Sequence, residues 1–269
     1  MTPEKTSRDD TTGGAATASK AETPCKAPCG ASQTRECLTL VSIEGNIGIG
    51  KSTVLKALRA AYAGDEGVVF VDEPVAAWEG AGLLAAMYDG RLSAAVFQMV
   101  ALSTRYALLR EALATPGARL VISERSLRSD KAVFAATHLR GCDKDAYDLA
   151  HASMVASLPK ADRLATVLLD APVETLLERV ARRGRDGEGA DVDAEGGAGG
   201  GGCSAAYLED LQRAHDRFYA SLDHHAARVD STADPATVAR RVVAAINDAV
   251  EAPKPPPVAA DSPTSVASL

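Results

Sequence analysis

Gly45, Gly50, Lys51 and Ser52 fill the pattern G-x-x-x-x-G-K-[ST], and the chemistry this spacing serves is the holding of phosphate groups. Glycines let the backbone curl until successive N–H groups point inward at an anion, and a following helix adds the positive end of its dipole. Lys51 would reach the β- and γ-phosphates of a nucleotide, and the Ser52 hydroxyl would ligate Mg²⁺. The candidate phosphate contacts are therefore Gly45, Asn46, Ile47, Gly48, Ile49, Gly50, Lys51, Ser52 and Thr53. A Gly-rich turn that binds nothing is the alternative. The hydrophobic run 38–43 before the loop and the helical apolar spacing of 54–62 after it favour phosphate binding.

Four more stretches carry residues suited to chemistry. Asp72-Glu73-Pro74-Val75 leads to Trp78, and Ser123-Glu124-Arg125-Ser126 is followed closely by Ser129 and Asp130. A long helical stretch contains Phe97, Gln98 and Arg105, and another ends in Arg179, Arg182, Arg183 and Arg185, with Glu188 beyond. Each has an ordinary reading when taken alone. Glu73 could be an exposed strand-end acid, Glu124–Arg125 a surface ion pair worth little, and the arginine run a solvated helix end. Phe97 and Phe134 could simply be core.

The elements that must position these residues alternate in type. Strands are expected at 38–43, 68–71, 119–123, 163–169 and 227–230. Helices are expected at 91–114, 130–139, 144–157, 172–183, 205–222 and 235–249. Such alternation predicts a parallel sheet covered by helices on both faces, with ligands at the carboxyl ends of the strands, where most of the motifs fall. Residues 1–36 lack periodicity and read as a disordered tail, and 251–269 as a Pro/Ala-rich disordered tail. The Gly-rich stretch at about 186–203 reads as a lid insertion within a domain spanning 37–250.

The chain has 269 residues, 46% of them hydrophobic and only 4% aromatic, so Ala, Leu and Val must fill the core. The net charge of −7 argues against a surface that tracks nucleic acid. No apolar run approaches the roughly 18–20 residues of a membrane span, so a soluble protein is expected. Acids at 4, 9, 10 and 22 count against an organellar transit peptide, which points to the cytoplasm ahead of the mitochondrion. The cysteines at 25, 29, 37, 142 and 203 suggest neither a disulfide framework nor a metal site.

Taken in order and spacing, the five motifs make the chain resemble the deoxyribonucleoside kinase family, from about Leu38 to Val250. The resemblance implies a P-loop kinase fold, an α/β five-stranded parallel sheet with helices on both faces and an Arg-bearing lid. It implies ATP-dependent phosphorylation of the 5′-hydroxyl of a deoxyribonucleoside in nucleotide salvage, with Mg²⁺ as cofactor and a homodimer as assembly. Residue by residue, Glu73 matches the general base, and Arg125 the arginine that orients it and contacts phosphate. Glu124, with Ser52, matches the metal-binding acid. Arg179, Arg183 and Arg185 match lid arginines that stabilise transition-state charge. Tyr88 and Glu188 match the pair holding the 3′-hydroxyl, although the extra length of the lid makes Glu195 a possible substitute. Gln98 matches the base-reading glutamine, while Trp78, Met87, Phe97 and Phe134 would line the nucleoside pocket. Arg105 and Asp130 stand where deoxycytidine and purine deoxynucleoside kinases carry Arg and Asp. Thymidine-preferring members carry smaller or apolar groups there, so a purine deoxynucleoside or deoxycytidine is expected over thymidine; the alternative is that Arg105 and Asp130 pair with each other away from the base.

The alternatives are a thymidine kinase, a thymidylate kinase-like enzyme, and a non-catalytic accessory subunit of the same fold. A thymidylate kinase would need a basic residue near the substrate's existing phosphate, where Glu73 instead offers a carboxylate. A non-catalytic subunit need not retain Lys51, Ser52, Glu73, Glu124 and Arg125 together.

Overall fold

The computed structural model describes residues 37–185 and 202–252. Five strands form one parallel sheet: β1 (Thr39–Glu44), β2 (Val68–Val71), β3 (Leu120–Glu124), β4 (Arg163–Asp170) and β5 (His225–Asp230). Their order across the sheet is β2-β3-β1-β4-β5. β1 and β3 are buried along their whole length, as expected for central strands covered on both faces. Alternation divides their side chains between two cores. Val41, Ile43, Leu120 and Ile122 enter one, while Leu40 and Val121 enter the other.

The helices are α1 (Lys51–Ala61), α2 (Val75–Gly80), α3 (Leu83–Tyr88), α4 (Ala94–Leu113), α5 (Leu127–Ser129), α6 (Ala136–His138), α7 (Gly141–Ala156), α8 (Val173–Arg183), α9 (Ala205–Ala220) and α10 (Pro235–Glu251). A π-helical segment, Asp130–Ala135, joins α5 to α6. Local chemistry sets several boundaries. Ser93 accepts a hydrogen bond from the Val96 amide and starts α4 three residues later than the sequence predicted. Asp234 caps α10, whose first residue is Pro235. α10 runs through Glu251, one residue into the expected tail. The segment predicted as one helix at 130–139 splits into the π-helical stretch and α6. α2 and α3, not expected from the sequence, are separated by Gly82 in the left-handed region (φ 68°).

The order of the strands makes β1 the switch point. The chain leaves β1 for one side of the sheet (β2, β3) and then crosses to the other (β4, β5), so a crevice opens at the carboxyl end of β1. The loop 45–50 fills that crevice and leads into α1. Among the described residues, no helix is long and apolar enough to cross a membrane.

Candidate active site

A cavity of about 580 Å³ lies at the carboxyl ends of the strands, lined at one end by Ile47 through Val54. Gly50, in the left-handed region (φ 103°), stands at the start of α1, and no side chain caps the helix. α4, α9 and α10, by contrast, begin with a Ser or Asp cap. The first-turn N–H groups of α1 are thus left for an anion. Lys51 is buried and donates to the carbonyls of Gly45 (3.2 Å) and Asn46 (3.1 Å). Burial first, then the nearby Arg125 charge, lowers its pKa to about 7. Added anionic charge at this end of the cavity is what would restore the full ammonium.

The loop is fitted closely to its surroundings. Gly48 has φ 77°, and a Cβ there would meet Val180 Cγ2 at 2.9 Å and the Leu176 carbonyl at 3.0 Å. Gly48→Ala is therefore expected to displace the loop, at a strain of about 1–3 kcal/mol. Nucleotide affinity measured by titration should fall roughly tenfold or more, since each 1.4 kcal/mol is a factor of ten. An unchanged affinity would show that the loop tolerates the shift.

Ser52 Oγ donates to Glu124, at 3.2 Å from Oε1 and 3.1 Å from Oε2. This hydroxyl–carboxylate pair is a set of hard oxygen donors, of the kind Mg²⁺ takes while keeping most of its waters. The described residues contain no cluster of three or more His, Cys, Asp or Glu side chains fit to hold a metal. A metal that relies on one or two protein ligands together with substrate phosphates fits the pair; an all-protein cage does not.

Arg125 follows Glu124 with φ 68°, the one positive φ outside glycine among the described residues. Such strain persists only where surrounding contacts hold it, and it concentrates at functional sites. Here its amide donates to the Ile43 carbonyl (3.0 Å) and Nη1 donates to the Gly45 carbonyl (2.8 Å). Its Nε donates to Glu73 Oε1 (3.1 Å), and its guanidinium lies 4.4 Å from the centre of the Phe134 ring.

Glu73 Oε1 also pairs with Arg105, and Oε2 has no partner among the described residues. Burial pushes the Glu73 carboxyl up, but Arg125, Arg105 and Lys51 outweigh it and hold the pKa at about 2. Glu73 is therefore a carboxylate with one oxygen clamped by two guanidiniums.

Arg105 reaches further. Its other terminal nitrogen pairs with Asp130, and Tyr147 of α7 donates to the far oxygen of Asp130 (3.1 Å). Asp130 is fully buried and is not on the cavity wall. Asp130 is thus not against a base, as the resemblance implies, but behind Arg105, where the two charges satisfy each other, the other arrangement the sequence left open. Arg105 itself lines the cavity, with its guanidinium 5.0 Å from the Trp78 ring. Its Nε has no partner among the described residues.

Beside Arg105 one stretch of the wall is apolar and aromatic. Trp78 and Phe97 meet edge to face with ring centres 5.5 Å apart, and Trp78 Nε1 donates to Thr104 Oγ1 (3.2 Å). Met87, Tyr88, Phe97 and Phe134 line the cavity and are at the same time part of the core. Gln98 is buried on the cavity wall, and its amide has no hydrogen-bond partner among the described residues. The amide faces the cavity, so a ligand that displaces solvent there must complete its hydrogen bonds.

Some candidate residues lie elsewhere. The Asn46 side chain turns away from the cavity, donating to the Leu208 carbonyl (2.8 Å) and Gln212 (3.2 Å), so it ties the loop to α9. Gly45 acts through its carbonyl, behind the cavity wall. Arg179, by contrast, lines the cavity and donates to the carbonyls of Ile49 (3.1 Å) and Ser231 (2.8 Å), which buttresses the loop. Arg183 and Arg185 line the cavity, as does Arg182, which is not among the lid arginines the resemblance implies; Arg185 pairs with Glu79. Glu188, Glu195 and most of the Gly-rich insertion lie outside the described residues. Cys203, expected within that insertion, is fully buried in the core, 3.6 Å from the Tyr88 hydroxyl.

Among the cavity residues that escaped the sequence reading, two are paired polar side chains. His138 Nε2 lies 2.9 Å from the Tyr207 hydroxyl, and both line the cavity. Burial lowers the His138 pKa to about 4, keeping the ring neutral. Its position eight residues after Asp130 and four after Phe134, on one helical face, was the available signal.

This combination, a phosphate loop at the switch point of a parallel sheet with a carboxylate–arginine cluster facing it, defines a P-loop kinase. The family model for deoxynucleoside kinase matches residues 41–251. The chain belongs to the deoxynucleoside kinase family, enzymes that bind a nucleotide and a nucleoside and phosphorylate the latter. A probable deoxycytidine kinase of Fowlpox virus (strain NVSL) is 40% identical over 96 residues, covering 35% of this chain and 38% of that protein. The thymidine kinase of Ictalurid herpesvirus 1 (strain Auburn) is 33% identical over 210 residues, covering 75% of this chain and 82% of that protein. Among solved structures, the deoxyadenosine kinase from M. mycoides superposes with a TM-score of 0.58 at 20% identity, over 78% of this chain and 99% of that one. At that identity the likeness shows the fold.

Proposed function

We propose that this enzyme transfers the γ-phosphoryl group of ATP to the 5′-hydroxyl of a deoxyribonucleoside, favouring a purine deoxynucleoside or deoxycytidine over thymidine. The observation that carries this reading is the clamp on Glu73. With Oε1 held by Arg105 and Arg125, Oε2 is the oxygen left to accept a hydroxyl proton. A carboxylate with a pKa of about 2 is a weak base. In a loose phosphoryl-transfer transition state the hydroxyl becomes strongly acidic as its bond to phosphorus forms, and the proton passes late. Until then Glu73 orients the hydroxyl for in-line attack.

Lys51, the uncapped first turn of α1, and Arg183 and Arg185 supply positive charge around the moving phosphoryl group. Ser52 and Glu124 would hold Mg²⁺, which would supply positive charge against the charge developing on the phosphoryl group. Trp78, Phe97 and Phe134 enclose the base, and the open amide of Gln98 reads its edge. Arg105, pinned on both sides, fills space that a thymine methyl would need. Tyr88 and Glu188 would hold the 3′-hydroxyl.

A second reading, thymidine phosphorylation, is favoured by the relative that covers most of this chain, which is a thymidine kinase. Steady-state kcat/KM for the four deoxynucleosides, and for dTMP, with ATP and Mg²⁺ separates the two. Preference for thymidine would overturn the role given to Arg105; phosphorylation of dTMP alone would overturn the acceptor.

A homodimer fits the apolar surface. The large hydrophobic side chains left exposed among the described residues are Val96 and Leu108 on α4 and Leu149 on α7, the last 75% exposed. These three side chains place the proposed dimer face on α4 and α7. Leu149→Glu should shift the sedimentation mass of the full chain toward monomer, and an unchanged mass would place the interface elsewhere.

A further inference from the structure

Three consecutive residues at the end of β1 each grip the turn that carries Arg125. Ile43 offers its carbonyl to the Arg125 amide, and Gly45 offers its carbonyl to the Arg125 guanidinium. Between them, Glu44 accepts a hydrogen bond at Oε1 from the Ser126 hydroxyl (2.7 Å). Ser126 is in turn locked in place. Its Oγ accepts from the Ser129 amide (3.1 Å), and its own amide donates to Ser129 Oγ (3.3 Å), a reciprocal cap on α5. Glu44 is fully buried, and its other oxygen has no partner among the described residues. Burial, the largest influence, raises its pKa above the ordinary carboxylate value despite Ser126, Arg125, Ser129 and Lys51. A buried acid is a costly way to hold one serine, and neither phosphate binding nor proton transfer uses it.

We propose that Glu44 is a positioning residue: through Ser126 it holds the Arg125 backbone in its left-handed conformation, so that one guanidinium can reach both Glu73 and the phosphate loop. The inference rests on the role proposed for Arg125. A non-glycine residue at φ 68° relaxes unless neighbouring contacts over-determine it. The Ile43 contact precedes the strained residue; beyond it Ser123 Oγ donates to the Arg125 carbonyl (2.6 Å) and Glu44 holds Ser126, so removing the Glu44 contact takes away the turn's tie to β1 on that flank and lets it relax. Glu73 would then lose one of its two guanidiniums.

The test uses the full-length protein well below its melting temperature. Glu44→Ala and Ser126→Ala are each expected to lower kcat by roughly tenfold to a hundredfold, the scale of an ångström-level misplacement, with nucleoside KM changed little. The double mutant should be no worse than the poorer single mutant, because both break one contact. Glu44→Gln, which keeps a neutral acceptor of the same shape, should recover most of kcat. Additive effects, an unaltered kcat in Glu44→Ala, or a Gln variant as poor as Ala would each overturn the proposal. Arg125→Met, measured alongside, separates the two levels. If it keeps kcat, the reading of the site itself fails; if it loses kcat while Glu44→Ala does not, only the role of Glu44 fails.

Discussion

Glu73→Gln is expected to lower kcat for nucleoside phosphorylation by about 10²–10⁴-fold, the usual contribution of a positioned acid–base group, while nucleotide affinity and melting temperature change far less. The amide keeps the shape of the carboxylate but accepts no proton. It also breaks the charge match with Arg105 and Arg125, both of which donate to Oε1. The sign of the pH dependence follows from the same contacts. A carboxyl held at about 2 stays ionised through any assay range, so Glu73 should contribute no acidic limb to kcat above about pH 4. Lys51→Ala should be at least as damaging, since it removes charge from where phosphates would sit. A Glu73→Gln enzyme with near wild-type kcat would remove Glu73 from the chemistry.

The second large effect concerns Arg105 and Asp130. Arg105→Met removes one of the two guanidiniums on Glu73 and leaves Asp130, fully buried, with only the Tyr147 hydroxyl. Breaking a buried pair from one side costs about 3–5 kcal/mol, so the single mutant should lose both stability and activity toward every nucleoside. Asp130→Ala alone leaves the Arg105 charge half satisfied. The double mutant removes both charges and enlarges the pocket, and it should be more stable than the sum of the singles predicts, with a coupling of about 0.5–3 kcal/mol. Its absolute kcat stays low because Glu73 is still one partner short. The change in specificity appears in the ratio of kcat/KM for thymidine to that for deoxycytidine or deoxyguanosine, which should rise at least tenfold, the scale of one methyl-sized fit. An unchanged ratio would show that Arg105 supports Glu73 and takes no part in reading the base.

The sequence by itself determined the architecture and where its active end lies. Hydrophobic alternation and helical spacing are local signals, and five strands alternating with helices leave few ways to bury both faces of a parallel sheet. Gly45 to Ser52 between a buried strand and a helix located the phosphate loop for the same reason, because its glycines, lysine and hydroxyl sit close together in the chain. The starts of α4 and α10 are also set by single residues, Ser93 and Asp234, whose side chains cap the next turn, although the sequence reading began the first of these helices three residues early.

Only the tertiary structure decided how charges separated by tens of residues share one another. Glu73, Arg105, Arg125 and Asp130 come from four different elements, and no local rule says that one carboxylate oxygen takes two guanidiniums while Asp130 retreats behind Arg105 to Tyr147. The same holds for Asn46, whose place in the loop suggested phosphate but whose side chain secures α9, and for Cys203, which lies in the core next to a Gly-rich stretch. Partnering of buried polar groups is set by desolvation. Each group must find the partner that burial leaves within reach, and that choice exists only once the sheet and its helices have closed around it.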